Sequence, residues 1–408
     1  MYEVVVIGAG AAGISAALSC RERGLSCIVL EAGGKIGGRA STIPAPDGSA
    51  FDLGAHWLHS PDLNPLSNIA LAGSVANAAP LAAAYSRGGA LLSPSEVSKC
   101  ESEIEACFED IAARGNHGID EAAIARTGGV AFTVSFTNKP GVPPDRASAV
   151  DFARYVWEGD DIPVQQGMGS LVASLGAGLD IRCNSPVEAI DLRGRNSVRV
   201  SGSWGSLEAH KAIVTVSTGV LQSGIIQFTP ELPSPHGEAI EGLPMGTCNK
   251  LRLSFTRRVF DDLPPSLLVP LDDPNEAMEI VLRENGEETA VGMFHGPFGR
   301  DLAADGEAAM GDHLIAVLAR LFGSSIFNSI SPLRMSVNWD TNPFVGGYVA
   351  AALPGCADAR LKLAEPIDGR LAFAGEATSM RFMGDVHGAW LEGQAAISRL
   401  CGAKRTYP

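Results

Sequence analysis

The first thirty residues alternate between apolar runs and a segment with helical spacing. Tyr2–Ile7 is an almost uninterrupted apolar run, as is Ser26–Leu30, and such runs are typical of strands buried on both faces. Between them, small and apolar side chains recur over residues 11–23, and Gly24 ends the pattern. A strand, a helix and a second strand in this order predict a βαβ unit and therefore a parallel sheet.

Farther along, the pattern changes several times. Residues 42–50 are rich in Pro, Ala and Ser and predict a loop, whereas the Ala-rich stretch from about 75 to 164 predicts an inserted, mostly helical region. Later apolar runs predict more strands of the first sheet, strands of a second sheet and further helices. The expected elements are a helix over Glu96–Ala113, strands over Val187–Leu192, Ala212–Val216, 249–256, 289–295, 332–338 and Arg370–Ala374, and helices over 310–322 and from Gly388 to Leu400.

Composition narrows the class of protein. Of the 408 residues, 46% are hydrophobic, which is enough for two packed cores. The net charge of −15 argues against nucleic acid or an anionic membrane as a partner and mildly favours cationic substrates. Met1 leads directly into the first predicted strand, so we expect no signal peptide, and eight scattered cysteines without a Cys-x-x-Cys pattern indicate reduced thiols. We therefore expect a cytoplasmic protein with no membrane span and no metal site.

The turn after the first strand has the spacing of a dinucleotide site, because Gly8, Gly10 and Gly13 form a Gly-x-Gly-x-x-Gly motif that opens the helix. Gly8 permits a tight turn, Gly10 lets the backbone approach a pyrophosphate at the helix N-terminus, and Gly13 allows close packing of helix on strand. Glu31, at the tip of the second strand, can accept hydrogen bonds from a ribose diol. These features suit NAD and FAD equally.

A second glycine-rich segment decides between these cofactors. Gly33-Gly34-Lys35-Ile36-Gly37-Gly38-Arg39 resembles the Gly-Gly-Arg signature of the flavin-containing amine oxidase superfamily. Further similar segments keep that family's order, residues 55–65 look like its polyamine oxidase branch, and residues from about 75 to 160 carry no such similarity. The segments are Gly54-Ala55-His56-Trp57, Pro186-Val187, Ile213–Leu221, Met245–Lys250, Trp339–Phe344, Gly346-Gly347-Tyr348, Phe373–Thr378 and Gly384–Ala389.

The resemblance implies a non-covalent FAD. In the family, the arginine of this signature meets the FAD phosphates and a valine backbone holds the adenine, which points to Arg39 and Val187. Where monoamine oxidases carry the cysteine that bonds the flavin, this chain has Gly347 or Tyr348. Glu376 follows an apolar strand and is placed to bond the ribityl hydroxyls. The residues expected around FAD are Gly8, Gly10, Ala12, Gly13, Glu31, Ala32, Gly38, Arg39, Gly54, Ala55, His56, Trp57, Val187, Trp339, Gly375, Glu376, Asp385 and Val386.

The expected catalytic residue is Lys250. Leu251 and Leu253 alternate with it and so share the opposite face of a strand. A lysine that faces a flavin is partly desolvated, which lowers its pKa and prepares it for proton exchange. In the family, this lysine holds a water against flavin N5 and assists reoxidation by O2.

Four residues are expected at the substrate. Trp57 lies in the turn under the flavin, and His59 aligns with a polyamine oxidase active-site histidine, although a loop histidine bonded to the backbone is an equal alternative. Tyr348 stands for one wall of the family's aromatic cage, with Val349 as a competing assignment. The second cage position is Asp385, which departs from the monoamine cage. Asp385 either binds a second substrate ammonium together with His59 or caps the final helix.

Together, these observations predict an α/β fold in which a Rossmann-like, doubly wound FAD-binding domain is interleaved with a substrate domain of mixed sheet and helices. We expect residues 1–74, 165–235 and 365–408 to form the first domain. Residues 75–164 and 236–364 are expected to form the second.

By resemblance, the protein oxidises the C–N bond of a small amine to an imine, which water hydrolyses, and reduces O2 to H2O2 as polyamine oxidases do. Three other functions stay open. An L-amino acid oxidase would need an arginine for the substrate carboxylate, for which Arg381 and Arg154 are candidates. A carotenoid-type desaturase or isomerase shares the N-terminal motif. A flavin-binding scaffold would show no turnover with any amine.

Overall fold

Two large β-sheets organise the computed structural model, which describes residues 1–72, 81–120, 129–260 and 263–402. The strands are β1 Tyr2–Ile7, β2 Cys27–Leu30, β3 Thr42–Pro44, β4 Ala50–Asp52, β5 Trp57–Leu58, β6 Ala82–Arg87, β7 Ala90–Leu91, β8 Ile162–Pro163, β9 Ile181–Arg182, β10 Ala189–Asp191, β11 Val198–Gly202, β12 Gly205–Val214, β13 Gln227–Thr229, β14 Cys248–Phe255, β15 Ser266–Pro270, β16 Met278–Leu282, β17 Thr289–His295, β18 Ile330–Val337 and β19 Leu371–Phe373. The α-helices are α1 Ala11–Glu22, α2 Pro65–Ala72, α3 Pro94–Asn116, α4 Val130–Thr137, α5 Ala149–Phe152, α6 Met168–Leu175, α7 Thr218–Gln222, α8 Ser234–Glu241, α9 Gly296–Ala304, α10 Glu307–Phe322, α11 Ala359–Ala364 and α12 Val386–Cys401.

The first sheet has eight strands in the order β13-β10-β11-β12-β1-β2-β9, and β19 pairs with β12. β1 runs parallel to both β12 and β2, as expected of a βαβ unit. Val4 and Val6 pack under α1 and α12, whereas Val5 and Ile7 pack under α8 and α11 on the other face. Helices therefore cover both faces of the sheet, and the predicted doubly wound α/β fold is confirmed.

The second sheet has seven strands in the order β18-β14-β17-β16-β15-β6-β7. Its pairs are antiparallel except for β15 and β6, which run parallel, so the sheet is mixed as predicted. Leu251 and Leu253 of β14 pack with Leu314 and Leu318 of α10 in one core. Within the described ranges, no helix combines the length and the apolar character that crossing a bilayer requires.

One of the expected elements is wrong and another is incomplete. Residues 42–50 are not a plain loop, because β3 and β4 pair there around a turn in which Gly48 has φ +86°. The region expected to be mostly helical also supplies β6 and β7 to the second sheet. Its helix α3 is longer than expected because Ser93 and Glu96 form a capping box at its start. The expected boundary between residues 74 and 75 and the segment 403–408 lie outside the described residues, and the division into two domains stays a prediction.

Candidate active site

One cavity of about 900 Å³ lies between the two sheets and is bordered by both. The ends of β1 and β2 contribute Gly8 and Glu31, and β14 of the second sheet contributes Lys250. A ligand at the carboxyl ends of parallel strands is the usual arrangement in doubly wound folds. The volume is at the upper end for small-molecule sites and suits a dinucleotide with a substrate.

The glycine turn fits a phosphate ligand. A Cβ at Gly13 would lie 1.9 Å from the Gly8 carbonyl oxygen, so Gly13 is required by packing of α1 on β1. Gly10 differs, because its φ is −76° and the nearest protein atom to an added Cβ is the Gly37 oxygen at 3.8 Å. The fold itself does not require glycine at this position, which borders the cavity. A glycine here leaves the N-terminus of α1 open to the close approach of a ligand.

Arg39 and Glu376, expected at different parts of FAD, form an ion pair beside the cavity. Arg39 Nη1 donates to Glu376 Oε1 at 2.9 Å and to the Tyr348 carbonyl at 2.7 Å. Glu376 also accepts from the backbone amides of Ala350 and Gly384 at 3.1 and 3.2 Å. The pair joins the second glycine segment to the C-terminal motif and places a cation and a carboxylate together at the cavity wall.

The remaining cofactor positions converge on the same cavity. Glu31 is oriented at the end of β2 by the backbone amides of Ala9 and Gly33, at 2.8 and 2.7 Å. Gly13 lies beneath the turn, as its packing role requires. The other positions expected around FAD that border the cavity are Ala12, Ala32, Gly38, Gly54, Ala55, His56, Trp57, Val187, Trp339, Gly375, Asp385 and Val386.

Lys250 is buried at the cavity wall, with only 3% of its surface exposed. Its Nζ donates to the carbonyl oxygens of Gly54 at 2.6 Å and Asp52 at 3.3 Å. Burial lowers the pKa of Lys250, and nearby groups that include Asp52 and Glu284 act in the opposite direction. A desolvated ammonium of lowered pKa is able to release and recover a proton inside the cavity.

His59 pairs with a carboxylate, not with the backbone. Its Nδ1 lies 2.7 Å from Asp161 Oδ1, and its ring makes edge contacts with Trp57 and Trp157. Burial alone would lower the pKa of His59, but the hydrogen bond to Asp161 and the charge of Asp385 raise it above its usual value. His59 therefore lies among carboxylates that favour its charged form.

The side chain of Asp385 does not cap the final helix. Asp385 occupies the N-cap position of α12, but its carboxylate accepts from the Tyr155 hydroxyl at 3.2 Å and makes no capping hydrogen bond. Only 7% of the residue is exposed, and burial raises the pKa of Asp385 to about 6. The carboxylate is thus a partly desolvated acceptor at the cavity wall.

Tyr348 and Val349 both border the cavity. The Tyr348 ring contacts His295 edge-on, with centroids 6.0 Å apart, and burial raises the pKa of the Tyr348 phenol well above its usual value. Val349 lies against Gly384, where an added Cβ would be 3.4 Å from Val349 Cγ1. The assignment of Tyr348 to the cage stays a prediction.

The region without a recognisable motif contributes functional groups that the sequence analysis missed. Lys139, Tyr155, Trp157 and Asp161 all border the cavity. Lys139 Nζ lies 3.4 Å from the centroid of a Trp157 ring. The sequence did contain one indication of these groups. Charged and aromatic residues concentrate at 139 and at 155–161, in a region that Gly and Pro residues interrupt. Nothing in that local pattern indicated which of them face one another.

The two arginines considered for a substrate carboxylate are elsewhere. Arg154 pairs with Asp358 at 2.8 Å, and Arg381 is exposed beside the Phe382 ring at 5.3 Å. Neither arginine borders the cavity. This arrangement removes the support that either residue gave to an amino acid oxidase.

Comparisons with known proteins agree with this geometry. The family model for flavin containing amine oxidoreductase matches residues 98–400, and that for an NAD(P)-binding Rossmann-like domain matches residues 6–70. Polyamine oxidase 2 and probable polyamine oxidase 4 of Arabidopsis thaliana are 28% and 26% identical to the chain, and each match covers 96% of this chain and 86% of the relative.

The solved structure of cyclohexylamine oxidase from Brevibacterium oxydans superimposes with a TM-score of 0.80 at 20% identity, covering 98% of both chains. These matches do not favour a carotenoid-type enzyme. The family match spans most of the chain, including Lys250 and the C-terminal motif. The chain belongs to the flavin-containing amine oxidoreductase family.

Proposed function

We propose that this protein is an FAD-dependent amine oxidase that converts a C–N bond of a cationic amine to an imine and reduces O2 to H2O2. The main support for this proposal is that Lys250, a buried lysine of lowered pKa, borders the same cavity as the glycine turn at Gly10. Two relatives named as polyamine oxidases support an amine of the polyamine type. Eight free cysteines support a cytoplasmic setting.

Each part of the cavity has a separate task in this proposal. Gly10 and the N-terminus of α1 hold the pyrophosphate of FAD, and Glu31 holds the ribose. Bound FAD supplies the two-electron acceptor for the substrate and the donor for O2. Lys250 gives and recovers a proton at Nζ, fixed in place by the carbonyls of Gly54 and Asp52. Asp385 and Asp161 attract and orient the substrate ammonium.

The charges at the substrate end favour cations. Asp161, Glu279 and Asp385 all border the cavity. A carotenoid has no charged group to match them, and an amino acid would bring a carboxylate towards three others. A di- or polyamine provides ammonium groups that complement these side chains.

Peroxide release from a panel of diamines, triamines, monoamines and amino acids tests the function. We expect turnover with amines and highest kcat/KM with a di- or triamine. Protein that holds FAD but releases no peroxide with any member of the panel would show a flavin-binding scaffold instead. Turnover limited to amino acids would identify a different substrate class.

We predict that acid precipitation releases all the flavin into the supernatant. Gly347 is one of the two candidates for the position where monoamine oxidases carry the cysteine that bonds the flavin. The fold leaves no room for a cysteine there, because Gly347 has φ +140° and an added Cβ would lie 2.4 Å from Met245 Cβ. Flavin absorbance of supernatant and pellet measures the outcome. Cys248 is the one cysteine of the described residues that borders the cavity, so any flavin in the pellet should be compared with Cys248→Ser.

We predict that Asp385→Asn lowers kcat/KM for a diamine more than for a matched monoamine. A charge-assisted hydrogen bond contributes about 1.5–3 kcal/mol, which corresponds to a relative loss of about 10- to 150-fold. Asp358→Asn is the control, because Asp358 is exposed and pairs with Arg154 away from the cavity. An equal change for both substrates would remove Asp385 from the specificity site.

A further inference from the structure

We propose that the face of Trp157, together with Asp161, Glu279 and Asp385, is a subsite for the second ammonium of a di- or polyamine, and that Lys139 occupies this subsite in the free enzyme and competes with the substrate for it. The inference rests on the proposed function and names a specificity-determining residue within it. It assigns a role to a lysine that neither cofactor binding nor proton transfer requires.

The geometry around Lys139 is that of a bound cation. Lys139 follows α4 in a turn in which its amide donates to the Phe136 carbonyl at 3.0 Å. From this turn its side chain extends over Trp157, with Nζ 3.4 Å from a ring centroid and 5.6 Å from that of Phe108. An ammonium over an indole face is a favourable cation–π arrangement, and the same arrangement binds free ammonium ligands.

Carboxylates from three separate elements border the same cavity as Lys139. Asp161 precedes β8, Glu279 lies on β16, and Asp385 is the N-cap residue of α12. The charges of all three raise the pKa of Lys139, and the charge of Lys139 in turn lowers the pKa of His59. Asp161 is paired with His59 and Glu279 lies 3.6 Å from His295, and Lys139 is a further cation that these carboxylates influence.

Lys139 is a weakly retained occupant. Burial lowers the pKa of Lys139 to about 8, although the three carboxylates act in the opposite direction. The four-carbon side chain is flexible, and the residue is only partly buried. Trp157 is 46% exposed, which makes the subsite reachable from solvent. A substrate with a second ammonium must displace Lys139, whereas a monoamine need not.

Steady-state kinetics test the competition. In Lys139→Gln we expect the ratio of kcat/KM for a diamine to kcat/KM for a matched monoamine to rise about 10-fold at pH 7, since the subsite is vacant and one charge more negative. Lys99→Gln is the control, because this substitution removes the same charge from a side chain that is 77% exposed and distant from the cavity. A ratio that falls or stays constant in Lys139→Gln overturns the proposal.

Binding without turnover separates this inference from the proposed function. Quaternary ammonium groups cannot be oxidised to imines, so calorimetric titration of the FAD-loaded enzyme with a bis-quaternary and a mono-quaternary alkane measures the subsite alone. We expect Lys139→Gln to tighten the bis-quaternary ligand about 10-fold relative to the mono-quaternary one, and Trp157→Leu in that background to abolish the gain.

Failure of the subsite and failure of the proposed function give different results. Equal affinities for the two ligands in Lys139→Gln overturn the subsite even if the enzyme oxidises amines. The expected binding pattern without any peroxide release supports the subsite and contradicts the proposed function. Because Trp157 is substantially exposed, its replacement leaves the buried core intact.

Discussion

Gly10→Val will abolish FAD binding and leave the protein folded. An added side chain at Gly10 meets no protein atom within 3.5 Å of its Cβ, and φ −76° suits any residue. The valine instead occupies the space through which the backbone would approach the pyrophosphate. Flavin absorbance of the purified variant measures binding, and thermal unfolding beside wild-type apoprotein measures folding.

Gly13 provides the contrast. Gly13→Ala should destabilise the fold itself, because its Cβ would overlap the Gly8 carbonyl oxygen. Gly237→Ala serves as the matched control, since Gly237 lies in α8 with no atom within 4 Å of an added Cβ. A Gly10→Val protein that purifies with a full complement of flavin would place the pyrophosphate elsewhere.

Lys250→Met will slow the reaction of the reduced enzyme with O2 by about 10- to 1000-fold, the range for removal of one positioned charged or proton-handling group. Methionine keeps the length of the side chain but removes the ammonium that donates to Gly54 and Asp52. Mixing reduced enzyme with O2 in a stopped-flow instrument isolates this step from amine oxidation.

Lys211→Met is the control for the general effect of losing a lysine that bonds a carbonyl. Lys211 donates to the Leu400 carbonyl and does not border the cavity. Its oxygen rate constant should equal that of wild type. The same rate constant in Lys250→Met would exclude Lys250 from the flavin.

Local patterns account for the parts of the fold that the sequence predicted well. β1, α1 and β2 are encoded by two apolar runs around a glycine turn, all within thirty residues. Strand β6 was missed because its alanines have little intrinsic preference for a strand, and pairing with β15 imposes the conformation. Tertiary context therefore decided β6, whereas local patterns predicted β14, β17 and β18 of the same sheet.

The candidate site shows the same division. Lys250 was identifiable because residues 245–250 resemble the family's lysine segment, and the alternation of Leu251 and Leu253 placed it on the opposite face of the strand. Arg39 and Glu376, by contrast, are 337 residues apart in sequence, and their pairing is a product of the fold. The orientation of Asp385 depends on Tyr155, 230 residues away. The Tyr155 hydroxyl donates a hydrogen bond to the Asp385 carboxylate, which therefore does not cap the helix. No local sequence pattern predicts contacts between residues so far apart in the chain.

The alternation of the chain between the two sheets limits how the protein can be divided. β1 and β2 belong to the first sheet, β6 and β7 to the second, β9–β13 to the first, β14–β18 to the second, and β19 returns to the first. A single cut between them therefore leaves both fragments with incomplete sheets and unpaired strand edges, which promote aggregation. Split reporters, domain swaps and truncated expression products of this protein have no natural cleavage point between the sheets, so engineered versions must retain the chain from β1 to α12.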